Sequence, residues 1–118
     1  MDSILISVKK LVGISQEDTS FDTDLIIHIN SVFMILKQLG VGPKDGFSIT
    51  SDLDTWNDFL ADGSNLAAVK SYMYAKVRLL FDPPTIASVL ESLKAQIVEF
   101  EWRLMVEADP PLINNGGN

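Results

Sequence analysis

Apolar side chains recur along most of the chain at steps of three and four residues, the spacing that places them on one face of an α-helix. Glycines, prolines and short polar stretches interrupt this pattern and mark the ends of each segment. The pattern predicts an all-α fold, a small bundle of four to five helices. The predicted helices run from about Ser3 to Val12, Asp22 to Leu39, Thr55 to Ala61, Leu66 to Phe81, and Thr85 or Ile86 to Glu107.

Two stretches of the chain lack the helical pattern. The segment Gly42–Gly46 is rich in turn-forming residues, and apolar and polar residues alternate over Phe47–Thr50. Together they predict a loop or a short extended segment near residues 41–52. The last residues carry Pro, Gly and Asn without periodicity, which is typical of a flexible tail. The chain therefore divides into a helical domain, residues 1–107, and a flexible tail, residues 108–118.

The second predicted helix is more apolar than one buried face requires. Ile27, Met34 and Ile35 widen its leucine, isoleucine and valine stripe until most of its circumference is apolar. A helix with this pattern is buried on more than one side. It is either the central core helix or a helix partly covered by a neighbouring subunit, and these interpretations are compatible.

The last predicted helix carries a long apolar seam at four-three spacing. The seam consists of Ile86, Leu90, Leu93, Ile97, Phe100 and Leu104. Trp102 lies off this seam, near Met105, on a second apolar face. Large aromatic side chains anchor many protein interfaces, so Trp102 indicates either a partner or packing against the first helix.

Composition supports a folded chain that associates with other proteins. Of the 118 residues, 47% are hydrophobic and 21% are charged, which excludes a disordered chain. One domain of this length has an unfavourable ratio of surface to volume, so we expect part of the apolar surface to face another chain. Sixteen acids against nine bases give a net charge of −7, which argues against ordinary binding to nucleic acid or to an anionic membrane.

Several further classes are disfavoured. The chain contains no cysteine, which excludes disulfides, thiolate metal sites and cysteine nucleophiles. The opening Met1–Ile4 has no basic residues before its short apolar stretch, unlike a signal peptide. No apolar run approaches the roughly 20 residues that span a bilayer. We therefore expect a soluble protein.

Catalytic and ligand-binding chemistry is sparse, and we predict no catalytic residue, metal site or cofactor. His28 is the only histidine, and on an apolar helix a structural role is expected for it. The sequence Asp52-Leu53-Asp54 begins like a calcium loop, but Gly63 stands where the bidentate glutamate is required.

The fourth predicted helix is locally basic and aromatic. Its residues Lys70, Tyr72, Tyr74, Lys76 and Arg78 are of the types that stack on bases and contact phosphates. The alternative is an amphipathic helix whose bases pair with acids of the same or a neighbouring subunit. The excess of acids favours that alternative.

The order of these segments resembles the head–tail connector family of long-tailed phages, whose members are also called adaptor or head-completion proteins. The resemblance extends over about residues 4–105. It is carried by Leu11-Val12-Gly13-Ile14, Asp18-Thr19-Ser20-Phe21-Asp22, Gln38-Leu39-Gly40-Val41-Gly42, Thr55-Trp56-Asn57-Asp58-Phe59-Leu60, Val69-Lys70-Ser71-Tyr72-Met73-Tyr74, Arg78-Leu79-Leu80-Phe81-Asp82-Pro83-Pro84 and Glu99-Phe100-Glu101-Trp102-Arg103-Leu104.

The resemblance implies a structural virion protein without catalytic activity. It implies an α-helical subunit that forms a ring, dodecameric in the virion, beneath the portal protein. Such a ring extends the DNA channel and presents a surface to the next connector or stopper protein on the tail side. Double-stranded DNA passes through it without specific binding, and no membrane is involved. The implied location is the head–tail interface of the virion, after assembly in the host cytoplasm.

Residues on two helices and in the tail are the candidates for these contacts. Ring closure needs two different patches, one on each side of the subunit. We expect the subunit interface to include Ile27, Met34, Ile35, Phe100, Trp102 and Met105. The tail residues Pro110, Pro111, Leu112 and Ile113 are the candidate portal contact, ordered on binding. The alternative function is a small helical dimerisation or regulatory module without catalytic activity.

Overall fold

The computed structural model describes residues 2–60 and 65–108. Over these residues the chain forms five helices and no strand: α1 (Ile4–Leu11), α2 (Asp22–Gln38), α3 (Trp56–Phe59), α4 (Leu66–Phe81) and α5 (Ala87–Ala108). The predicted all-α bundle is confirmed. The predicted tail lies outside the described residues except for Ala108, which is the last residue of α5.

Local capping interactions fix where the short helices begin. The Ser3 hydroxyl accepts a hydrogen bond from the Ile6 N–H at 3.2 Å, which satisfies one of the free donors at the start of α1. At α3, the Thr55 hydroxyl and the Asp58 carboxylate each accept a backbone N–H of the other residue. This capping box allows a helix of only four residues to form in the long connection between α2 and α4.

Helix α4 holds the central position in the bundle. It packs against α1, α2 and α5, whereas α2 packs against α1 and α4. The buried residues of α4 include Val69, Met73 and Val77, together with the ring of Tyr72. The interpretation of α2 as the central core helix is therefore wrong. One face of α2 is left without a neighbour from the described part of its own chain.

A buried ion pair joins the end of α1 to the start of α2. The Lys9 ammonium lies 2.9 Å from the Asp22 carboxylate and donates a hydrogen bond to the Gln16 carbonyl at 3.1 Å. Only 2% of the Lys9 surface is exposed. A buried charge is tolerated when it is paired and hydrogen-bonded in this way. Lys9 therefore holds the loop between α1 and α2 against the two helix ends.

The connection between α2 and α4 packs on α2 through a cluster of aromatic rings. The ring of Phe33 lies 5.0 Å from that of Phe47 and 4.8 Å from that of Phe59, measured between centroids. Gly42 has a φ of +93°, and a Cβ at this position would collide with the Phe59 ring. The predicted loop near residues 41–52 is thus an ordered segment, and it holds one face of α2.

The side chain of Asn30 replaces a strand partner for the extended part of this connection. Its amide accepts the Ile49 N–H at 2.8 Å and donates to the Ile49 carbonyl at 3.0 Å. Both backbone groups of the buried Ile49 are therefore satisfied without a β-sheet. This contact explains why an asparagine stands within an otherwise apolar helix.

Helix α5 rests on α4 through a narrow apolar face and a polar link. Its buried residues are Leu93, Ile97 and Leu104. The Tyr72 hydroxyl donates a hydrogen bond of 2.7 Å to the Glu101 carboxylate, and the Lys76 ammonium lies 3.9 Å from the same carboxylate. Ile86, the first residue of the predicted seam, is exposed because α5 begins only at Ala87.

Candidate assembly interface

Two of the predicted interface residues form an exposed apolar stripe on α2. Ile27 and Met34 lie seven residues apart, which is two helical turns, and are 58% and 66% exposed. Ser31 lies between them on the same face and is also exposed. The opposite side of α2 is buried against α1 and α4. We call Ile27 and Met34 the α2 stripe.

A second exposed apolar stripe runs along α5. Trp102 is 61% exposed, and Val98 and Met105 are exposed on the same face at steps of four and three residues. We call these three residues the α5 stripe. The large exposed area of the Trp102 ring argues against the alternative in which Trp102 packs on the first helix. Scattered exposed apolar residues are ordinary, but a continuous stripe with a tryptophan is typical of a protein interface.

The other two predicted interface residues have a different environment. Ile35 and Phe100 are partly buried and pack against the hydrophobic core of their own chain. Phe100 also lines a groove between α4 and α5. Both side chains therefore have a packing role within the subunit, and only a part of each is accessible to another molecule.

The candidate portal residues Pro110, Pro111, Leu112 and Ile113 lie outside the described residues. The last described helix, α5, ends at Ala108, two residues before Pro110. The sequence prediction for these four residues therefore stays a prediction.

The basic and aromatic residues of α4 are engaged within the same chain. The Lys70 ammonium lies 3.3 Å from the Asp2 carboxylate and 5.7 Å from the centre of the Trp56 ring. Lys76 and Tyr72 both contact Glu101. Lys70 and Lys76 therefore pair with acids of the chain, whereas Arg78 donates a hydrogen bond to the Tyr74 hydroxyl at 3.4 Å.

The residues that were considered for catalysis or metal binding also have structural partners. The ring of His28 is partly buried and lies 6.4 Å from that of Phe81, edge to face. The Asp54 carboxylate accepts the backbone N–H groups of Thr50 and Ser51. Across residues 2–60 and 65–108, no group of three His, Asp or Glu side chains is arranged to hold a metal ion.

One prominent surface residue is not among the predicted interface residues. Leu53 is 82% exposed, the largest value among the large apolar side chains in the described residues. The sequence signal was present in the Ser51-Asp52-Leu53-Asp54 turn, where a leucine stands between two acids.

The fold and its surfaces define a class: a small all-α protein with two exposed apolar helix faces, for which binding to other protein surfaces is the expected role. The chain matches the phage connector protein family over residues 4–111, and it belongs to this family. It is therefore a viral structural protein of the head–tail connector class, and this family is structural rather than catalytic.

The remaining comparisons add no individual relative. No curated protein and no solved structure matches the chain. Among the described residues, none of the helices is long and apolar enough to span a lipid bilayer.

Proposed function

We propose that the chain forms a ring beneath the portal protein at the head–tail interface of the virion. The observation that carries this proposal is the presence of two separate apolar stripes, one on α2 and one on α5, on a single connector subunit. Each stripe contains large side chains that the rest of the described chain leaves exposed. Burial of these side chains against a second copy provides the driving force for assembly.

The position of the stripes on different helices favours a ring over a closed pair. When one patch of a subunit meets a different patch of its neighbour, every added copy leaves both kinds of patch available. Such an interface closes only when the rotation between neighbours completes a circle. The proposed interface joins the α2 stripe of one copy to the α5 stripe of the next, with Ile35 at its edge. Phe100 lies about half a turn away from the α5 stripe, in the groove between α4 and α5, and is assigned to a contact on that side of the helix. A dodecamer is the expected ring.

The charge of the chain suits a ring that surrounds DNA. With a net charge of −7, each subunit adds negative charge to the assembly. An acidic wall repels the phosphate backbone, so double-stranded DNA moves through the channel without binding to it. The proposed ring thereby extends the portal channel, and its far side forms the attachment surface for the next connector or stopper protein.

The portal contact is assigned to the tail residues Pro110, Pro111, Leu112 and Ile113. Two prolines stiffen this segment, and the following leucine and isoleucine provide apolar contact area. In the sequence the segment begins two residues after Ala108, the last residue of the helix that carries the α5 stripe. We propose that it orders on the portal protein during assembly in the host cytoplasm.

Mass measurement with and without the portal tests this proposal. Sedimentation and native mass spectrometry of the full chain at rising concentration should show species larger than a dimer, in the free state or on portal particles. A variant that ends at Glu107 should still form the ring but bind the portal more weakly. A strict monomer in both settings would contradict the ring, and a closed dimer would favour the regulatory module. Unchanged portal binding by the truncated variant would remove the tail from the contact.

A further inference from the structure

The turn that presents Leu53 is held rigid by hydrogen bonds to its backbone. The Asp54 carboxylate accepts the Thr50 N–H at 2.8 Å and the Ser51 N–H at 3.3 Å, and the Ser51 hydroxyl accepts the Leu53 N–H at 3.1 Å. The Asp54 carbonyl accepts the Ile4 N–H at 3.0 Å, which ties the turn to the start of α1. A leucine fixed in this way loses little backbone entropy when a partner covers it.

A groove between α4 and α5 has the complementary character. Its wider part has a volume of 510 Å³ and an apolar floor formed by Ala75, Leu93 and Phe100. A second part continues along the same two helices, and both parts share Tyr74, Leu93 and Gln96. The volume lies within the range of pockets that bind small molecules or single side chains. The groove is therefore large enough to receive the leucine of a turn.

The charges around the two features are opposite in sign. In the wider part of the groove Arg103 is paired with Glu99 at 2.6 Å, so the positive charge in excess is that of Arg78 in the second part. The turn carries Asp52 and Asp54 and no base. The positive charge of Arg78 is opposite in sign to the acidic turn. Complementary charges of this kind orient two copies as they meet.

We infer that the Leu53 turn of one copy inserts into the α4–α5 groove of the next copy. Leu53 covers the apolar floor, and Asp52 lies toward Arg78. The contact joins two different patches, so it repeats around a ring without a twofold axis. It rests on the proposed assembly and adds to it a second contact, on the side of α5 that faces away from the α5 stripe.

Cysteine crosslinking tests this contact directly because the natural chain has no cysteine. Leu53→Cys and Gln96→Cys are both made at exposed positions, so both variants should fold. The two variants are mixed under assembly conditions and then oxidised or treated with a short bismaleimide. A covalent species of two chains is expected from the mixture and not from either variant alone.

Matched controls separate this contact from random collision. In one control mixture Lys44→Cys takes the place of Leu53→Cys, and in the other Glu17→Cys takes the place of Gln96→Cys. Lys44 and Glu17 are both exposed and lie outside the turn and the groove. Neither control mixture should give the covalent pair. In addition, Leu53→Asp should weaken association by about tenfold or more, the size of effect that an interface anchor shows, without changing the unfolding curve.

The outcomes distinguish this inference from the broader proposal. Assembly without a crosslink between positions 53 and 96 would overturn the Leu53 contact and leave the ring proposal intact. A crosslink of Leu53→Cys to itself would overturn the contact by indicating a twofold arrangement. Absence of any assembly by the unmodified chain, alone and with the portal, would overturn both.

Discussion

Lys9 and Lys10 are neighbours in the sequence, but their environments are opposite. Lys10 is exposed, whereas Lys9 is buried and paired with Asp22 at the junction of α1 and α2. A lysine is rarely buried unless it is paired, so the ion pair must be present for this junction to pack. The two residues therefore offer a comparison in which only the environment differs.

Replacing Lys9 by methionine should destabilise the fold. The substitution keeps an apolar stem of similar length but leaves the Asp22 carboxylate and the Gln16 carbonyl without their cationic partner. Breaking a fully buried pair costs about 3–5 kcal/mol, and the partial exposure of Asp22 reduces this to about 2 kcal/mol. Lys10→Met should change stability by less than about 0.5 kcal/mol. Urea unfolding of both variants measures the difference, and equal effects would contradict a structural role for Lys9.

Single-residue roles could be predicted where partners are close in sequence. The spacing of Glu99 and Arg103 predicts a contact on one helix face, and their side chains lie 2.6 Å apart. The pairing of Asn30 with Ile49 spans nineteen residues and depends on how the connection folds over α2. Likewise, no pattern in the sequence indicates that Lys9 rather than Lys10 is the buried lysine.

At the level of elements, α5 is held to the bundle by few interactions for its length. Three of its 22 residues are buried, and the bond from Tyr72 to Glu101 adds a polar link to α4. Burial, together with the hydrogen bond to the Glu101 carboxylate, raises the pKa of Tyr72 above its ordinary value of 10.0. This residue therefore stays neutral in the folded state at a pH where it ionises in the unfolded chain.

Alkaline pH should consequently lower the free energy of unfolding, because Tyr72 ionises more readily in the unfolded chain. Because folding raises the pKa of Tyr72, the contribution of Tyr72 to the free energy of unfolding is complete below about pH 10 and declines as the pH rises further. Tyr72→Phe should lower the free energy of unfolding by about 1.5 kcal/mol at neutral pH, the value of a hydrogen bond to a charged group. Above about pH 10 the free energy of unfolding of this variant should decline less steeply than that of the unmodified chain. Tyr74→Phe serves as the control and should keep the steeper decline. Thermal unfolding between pH 7 and pH 11 measures how the stability of each protein falls with pH. An equal fall for Tyr72→Phe and the unmodified chain would be inconsistent with a raised pKa of Tyr72.

The bounds of the helices could be predicted more readily than their arrangement. The predicted Leu66–Phe81 agrees with α4, and the prediction for α2 ends one residue late. Glycine and proline mark these ends locally, so sequence reasoning finds them. The central position of α4 depends on which of several apolar faces meet, and the α2 pattern alone suggested the wrong helix. The four-residue α3 exists because of its capping box and its aromatic packing.

At the scale of the whole molecule, the α2 and α5 stripes determine how copies are related. Membership in the phage connector family gives the structural role, whereas the relation between copies depends on which surfaces meet. An interface in which the α2 stripe of one copy meets the α5 stripe of the next, with the other stripe of each copy left free, predicts open growth or a ring. A self-complementary interface predicts a closed dimer. The two possibilities predict different assemblies when two variants, each with one stripe blocked, are mixed.

Mixing two blocked variants distinguishes these relations. One variant carries Ile27→Glu and Met34→Glu on the α2 stripe, and the other carries Trp102→Glu and Met105→Glu on the α5 stripe. All four side chains are exposed, so each variant should fold with nearly unchanged stability. Each variant alone should remain monomeric under conditions in which the unmodified chain assembles, because a glutamate in an apolar interface loses its hydration without gaining a partner.

The mixture should instead form a pair of unlike chains and stop there. The first variant retains an intact α5 stripe and the second an intact α2 stripe, so one complete interface forms between them. The stripes that remain free on this pair are both blocked, and no third chain adds. Sedimentation of equimolar mixtures measures this species. Dimerisation of either blocked variant with itself would show that one stripe is self-complementary, and a ring built from unlike stripes would then have to be abandoned.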